Sequence, residues 1–220
     1  MKRREFSAAV VRTGVTAGAL ASGLPLALAQ SGAPVEGKNY LKLSPPVATP
    51  ANGKIEVIEF FWYGCPHCNN LHPHVKAWLK NKPDDVDFRY VPAIFRNNWI
   101  PGAKTFYTIE AMGEIDTLHD RVYDAIHRDK INLSDETVLF NWIARQDVDK
   151  DKFINHYQSF TTQNQVARSN QMMQQYQLTG VPVFVVEGQY VTQGKKGGTP
   201  QDTMRVLDEI ITMVRKNKTP

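Results

Sequence analysis

Cysteine is nearly absent from this chain: 220 residues contain two, Cys65 and Cys68, with only Pro66 and His67 between them. So small a number excludes a disulfide-stapled scaffold, and the lack of a second pair excludes a four-cysteine structural zinc site. Long apolar runs are also missing. The best candidate, the mildly apolar stretch Val15 to Leu28, falls short of the ~20 residues that a membrane-spanning helix needs. Charge of one sign is not concentrated either, with 26 Lys and Arg against 22 Asp and Glu, so nothing offers nucleic acid a basic face. No internal repeat stands out, and the one low-complexity patch is Lys195-Lys196-Gly197-Gly198.

What is present begins with the first thirty residues. Lys2, Arg3 and Arg4 make a basic start, Val15 to Leu28 is apolar without charge, and Ala27-Leu28-Ala29 obeys the small-residue rule for signal peptidase. The pattern predicts an export signal cleaved after Ala29. The stretch RREF followed by a Gly/Thr-containing, modestly apolar segment also resembles a twin-arginine signal. Losing residues 1–29 removes four cations and one anion, so the formal charge falls from +4 to +1 and the mature surface is nearly neutral. With 42% hydrophobic residues the rest can bury a substantial core without covalent staples.

The cysteine pair then calls for a chemical explanation. A structural disulfide works largely by shortening the excursions of the unfolded chain, and its benefit shrinks with the loop it closes. Joining Cys65 to Cys68 would enclose only two residues. In an exported protein such a pair is better explained by redox chemistry.

Its surroundings agree. Residues 54–63, KIEVIEFFWY, are β-branched and aromatic between Gly53 and Gly64, which predicts a buried strand. From Pro66 the period changes: Leu71, Val75, Trp78 and Leu79 recur at helical spacing until about Asn81 to Pro83, and Pro66 suits a first helical position. Cys65 thus sits where strand becomes helix, with backbone N–H groups and the positive end of the helix dipole directed at its sulfur. That setting favours the thiolate, the reactive form in disulfide exchange. His67 adds positive charge or a hydrogen bond. Cys68, one turn in, is the covered, resolving thiol.

A second strand is predicted over 86–95. Helix-spaced apolar residues follow at 101–112, 115–128, 135–146, 150–161 and 163–176, with Ser134 (before Asp135 and Glu136) and Asp149 as caps. Strand signals return at 181–193, where Glu187-Gly188 suggests a hairpin, and a last helix is capped by Thr199, opened by Pro200 and striped by Val206, Ile210 and Val214. The pattern predicts an α/β domain at 40–95 and 178–218, interrupted by a helical domain at 96–177. Met172 and Met173 read as helix packing. Trp62 and Tyr63 either rim an apolar patch or divide between patch and core.

CPHC opening a helix, after a strand ending Glu-Phe-Phe, with a helical insertion and a later Gly180-Val181-Pro182, resembles the DsbA family of periplasmic dithiol oxidases within the thioredoxin superfamily. The resemblance spans nearly all of the mature chain and implies a thioredoxin-like fold with an inserted helical domain. It makes Cys65 the exposed nucleophile, Cys68 its buried partner and Pro66-His67 the intervening dipeptide. Glu59 takes the place of a buried family glutamate that assists proton transfer at the buried thiol, and its setting between Ile58 and Phe60 agrees with burial. Arg89 is the nearest candidate for the basic partner of Glu59, as a charge partner rather than a proton carrier. Val181-Pro182 corresponds to a cis-proline loop that offers backbone groups to an extended substrate, and Thr179 departs from a basic family residue near it. The implied activity is donation of the Cys65–Cys68 disulfide to reduced exported proteins, without a cofactor or metal, by a monomer that a membrane quinone reductase of the DsbB type re-oxidises.

Two other readings stay open on the sequence. The same fold could run as a reductase or isomerase, although the short segment 30–53 has no room for the dimerisation domain of the usual isomerase plan. Alternatively Cys65, His67, Cys68, His72 and His74 could form a copper or zinc site in a metal carrier. Pro66 and the helix hold the thiols for a disulfide, which counts against the metal, and His72 and His74, flanking Pro73, are expected in solvent. Haem attachment is excluded because Asn69 stands where the motif requires histidine.

Overall fold

A computed structural model describes residues 34–50, 52–192 and 198–218. The expected export signal, its cleavage site and most of the Lys195–Gly198 patch lie outside these residues. No helix among the described residues is long and apolar enough to cross a membrane.

The β-branched and aromatic segment after Gly53 forms β2 (Ile55–Phe61), buried along its whole length. A central strand buried on both faces suits its largely apolar run, and it buries Glu56 and Glu59 along with the apolar residues. Five strands form one sheet in the order β1-β5-β4-β2-β3, with β1 at Tyr40–Lys42, β3 at Val86–Pro92, β4 at Val183–Val186 and β5 at Tyr190–Thr192. β2 and β3 run parallel, and the other pairs are antiparallel. β3 ends at Pro92, three residues before its expected limit, and a 3-10 turn at Asn97–Trp99 follows.

The parallel pair is bridged by α1 (Pro66–Leu79). α1 and α7 (Pro200–Lys218) cover one face, where Leu71 and Val75 meet Val57, Leu207 and Ile210; each such buried aliphatic contributes about 1.5–3 kcal/mol. On the opposite face Met172, Met173 and Tyr176, from α6 (Phe160–Gln175) and its C-cap, pack on Ile58, Phe60 and Val185. The remaining helices among the described residues are α2 (Ile100–Met112), α3 (Ile115–His127), α4 (Glu136–Ile143) and α5 (Lys150–Gln158). Their core reaches back to Phe61, Tyr63, Cys65 and Cys68.

Local signals behave as the sequence predicts in most places. Glu187 and Gly188 both have positive φ and turn β4 into β5; Gly188 is required there twice over, since a Cβ would lie 2.0 Å from the Val47 carbonyl oxygen. Thr199 Oγ1 accepts from Asp202 N–H while Asp202 accepts from Thr199 N–H, a reciprocal cap on α7. Asp149 caps α5 by accepting from Lys152 N–H. At α4 the cap is Asp135, which accepts from Val138 N–H, so Ser134 lies one residue outside it.

Candidate active site

α1 begins where β2 releases the chain through a tight turn. Cys65 N–H donates to the Trp62 carbonyl at 3.0 Å, and Cys65 becomes the helix N-cap with extended φ −84 and ψ 118. Pro66 follows at the first helical position, where a missing N–H costs nothing. Cys65 is 8% exposed, Cys68 is fully buried, and Pro66 and His67 between them face solvent.

With both thiols free, their chemistry is sharply divided. Cys65 is brought down from 9.0 to about 6. The largest cause is the hydrogen bond from the Cys68 thiol; burial opposes it, and the backbone N–H groups of Cys68 and His67 and the charge of His67 add to it. Burial pushes the Cys68 thiol up, and its hydrogen bond to Cys65 works in the same direction. One sulfur is therefore a ready thiolate and leaving group, and the other holds its proton.

Facing them is the loop before β4, whose Val181-Pro182 peptide bond is cis. The Val181 carbonyl oxygen is 3.7 Å from Cys65 Sγ. The structure thus brings together Cys65, Cys68 and Val181-Pro182, although Val181 lies 116 residues beyond Cys65 in the sequence.

Glu59 lies beneath, 2% exposed, with Oε2 unpartnered. Burial raises its carboxyl to about 8, and its charge acts on Cys68, Tyr90 and Tyr123. Arg89 is not its partner. β3 pairs Arg89 with Ile58 and Tyr90 with Glu59, and alternate residues point to opposite faces. Arg89 therefore turns to the α6 side and bonds Glu56 at 3.1 Å, leaving Glu59 among aromatic rings without a counter-ion.

His72 also differs from expectation, whereas His74 is partly exposed. His72 is buried at 6%, with Nε2 2.6 Å from Asp120 Oδ1 on α3, and Lys76 pairs with the same carboxylate. Burial lowers the His72 pKa, outweighing Asp120. Asp120 of α3 thus engages His72, and among the described residues no group of three or more His, Cys, Asp or Glu could hold a metal ion.

Sequence reasoning missed a set of groups behind the turn. Tyr63, 1% exposed, puts its hydroxyl 2.7 Å from His119 Nδ1, and its carbonyl accepts from His127 Nε2 at 2.7 Å. Trp62 stacks on Trp99 at 3.9 Å with the planes 4° apart. The available signal was the i, i+4, i+8 spacing of His119, Tyr123 and His127, which puts them on one stripe of α3 but does not name what they meet.

Comparison with known proteins places this geometry. A family profile described as DSBA-like thioredoxin domain matches residues 91–207. The thiol:disulfide interchange protein DsbA of Burkholderia cepacia is 39% identical over 203 residues, covering 90% of this chain and 95% of that one. The crystal structure of Pseudomonas aeruginosa DsbA is 38% identical with a TM-score of 0.79, covering 84% of this chain and 96% of that one. The oxidoreductase NmDsbA1 from N. meningitidis covers the same shares at 28% identity and a TM-score of 0.75. The expected thioredoxin-like α/β fold is thereby borne out. Sharing that fold and more than a third of its residues along nearly the full length of such relatives, the chain belongs to the DsbA family of thiol:disulfide interchange proteins.

Proposed function

We propose that the protein is a periplasmic dithiol oxidase that donates the Cys65–Cys68 disulfide to reduced exported proteins. A substrate thiolate attacks Cys65 Sγ of the oxidised protein, the bond to Cys68 breaks, and a mixed disulfide forms. Cys68 leaves as a thiolate and takes a proton, for which Glu59, neutral up to about pH 8, is the buried source. A second substrate thiolate then attacks the substrate's own sulfur in the mixed disulfide and releases Cys65 as thiolate. Two electrons have passed from substrate to enzyme.

The observation that carries this reading is the lowered Cys65 thiol. Whatever stabilises reduced Cys65 makes the disulfide more oxidising, a relation for which DsbA is itself the standard example. Pro66 and His67 keep the first turn of α1 against the sulfur, and Val181 and Pro182 offer an extended substrate backbone groups beside it. A reductase on the same fold also lowers this thiol, in thioredoxin to about 7, but stabilises its reduced form less and so holds a less oxidising disulfide.

The rest of the scheme is proposed on the same footing. Residues 1–29 act as a cleaved export signal. Segments 40–95 and 178–218 form the thioredoxin-like domain and 96–177 an inserted helical one, a division supported by the order of elements, since α2 to α6 all fall between β3 and β4. The protein acts as a monomer without cofactor or metal, and a DsbB-type membrane quinone reductase restores its disulfide.

Alkylation of the reduced protein at graded pH tests the reading. The rate at Cys65 is expected to rise with a midpoint near 6. A midpoint near 9.0, the ordinary thiol value, would overturn it.

A further inference from the structure

Tyr63 stands two residues before Cys65 and is held at both ends by α3. Its hydroxyl meets His119 and its backbone carbonyl accepts from His127, each at 2.7 Å. Tyr63 and Gly64 are the central pair of the turn that the Cys65 N–H closes on Trp62. The other side of the turn is also covered: Trp62 lies flat on Trp99, and a Cβ on Gly64 would fall 2.3 Å from the Trp62 indole. The turn is therefore fixed by groups outside the sheet that it leaves.

That turn decides how the chain meets α1. Cys65 collects hydrogen bonds from His67 and Cys68 only while its own backbone stays extended at the N-cap, so freedom in the Tyr63–Gly64 peptide spreads directly into the aim of those donors. His127 ends α3, is half-buried, and stacks on Tyr123 at 6.2 Å. Its charged neighbour Arg128 is engaged with Asp124 and Asp129.

We propose that His127 is a positioning residue: by holding the Tyr63 carbonyl it fixes the Trp62–Cys65 turn and thereby aims the first N–H groups of α1 at Cys65 Sγ. This rests on the reading of Cys65 as the nucleophile. His119 holds the other end of Tyr63, but it is 3% exposed with Nε2 unpartnered, so replacing it disturbs the core as well. His127 gives the cleaner test.

The test follows the thiolate absorbance of Cys65 with pH in the reduced protein, together with far-UV circular dichroism and a thermal melt. In His127→Ala the titration midpoint is expected to rise by about half a pH unit, the scale of one hydrogen bond, and alkylation at pH 5 to slow about threefold. His127→Asn, too short to reach the carbonyl, should behave alike and serves if the alanine variant does not fold. His127→Gln, which can donate at similar reach, should restore the midpoint. A merely structural role would lower the melt and leave the midpoint in place. Wild-type titration near 6 with unmoved variants, or failure of glutamine to restore, overturns the positioning role; wild-type titration near 9.0 overturns the nucleophile reading beneath it.

Discussion

Cys65→Ser is expected to lose disulfide transfer to the level of buffer alone while keeping its fold. The serine hydroxyl fits the same N-cap and can even accept from the first-turn N–H groups, but it can neither hold a disulfide with Cys68 nor leave as a thiolate. The effect on stability has a definite sign. In the reduced wild type the Cys65 pKa is lowered from 9.0 to about 6, so its contribution to stability is fully present above pH 9 and is lost as pH falls through 6. Discounted for screening at a sulfur that faces the surface, that is about 1 kcal/mol at pH 7. Urea unfolding under reducing conditions should therefore show wild type and Cys65→Ser equal at pH 5 and diverging toward pH 9. Unfolding of Cys65→Ser at every pH would mean that the cysteine pair is structural.

Glu59→Gln is expected to act in the opposite direction on stability. The carboxyl ionises near 4.5 in the unfolded chain and near 8 in the folded one. Below 4.5 both states hold the proton and nothing is lost. Between 4.5 and 8 the unfolded chain releases a proton that the folded chain keeps, so stability falls as pH rises; above 8 both are ionised and the penalty levels off. Glutamine removes that slope, so Glu59→Gln should gain roughly 4 kcal/mol on wild type between pH 4 and pH 8. The same change takes away the proton source beside Cys68, so formation of the mixed disulfide, the step in which Cys68 leaves, should slow and lose its pH dependence near 8. Parallel stability profiles for the two proteins would place the Glu59 carboxyl in contact with water instead.

The cysteine site was legible because its signals are local. A strand ending at Phe61, a proline at the first helical position and two thiols three apart define a helix N-terminus whichever way the rest folds. The Glu187-Gly188 hairpin and the Thr199 cap are equally local, each set by backbone preferences of adjacent residues. The cis peptide at Val181-Pro182 came from the family resemblance and not from the spacing. What failed needed register or tertiary packing. Arg89 and Glu59 are on neighbouring strands, but only the pairing of Arg89 with Ile58 decides that they point to opposite faces. His72 looked solvated beside Pro73 until α3 covered it with Asp120. The grip of His119 and His127 on Tyr63 joins residues 56 and 64 positions apart, beyond any periodicity.

The most direct test of the oxidase account is the reduction potential of the Cys65–Cys68 pair. The mature protein is equilibrated with graded glutathione buffers in the presence of chelator, free thiols are trapped by alkylation, and the reduced fraction is read by mass spectrometry. The oxidase account predicts a potential clearly less negative than about −180 mV, the level of protein disulfide isomerase. A value near or below roughly −270 mV, where thioredoxin lies, would contradict the account and make the protein a reductase.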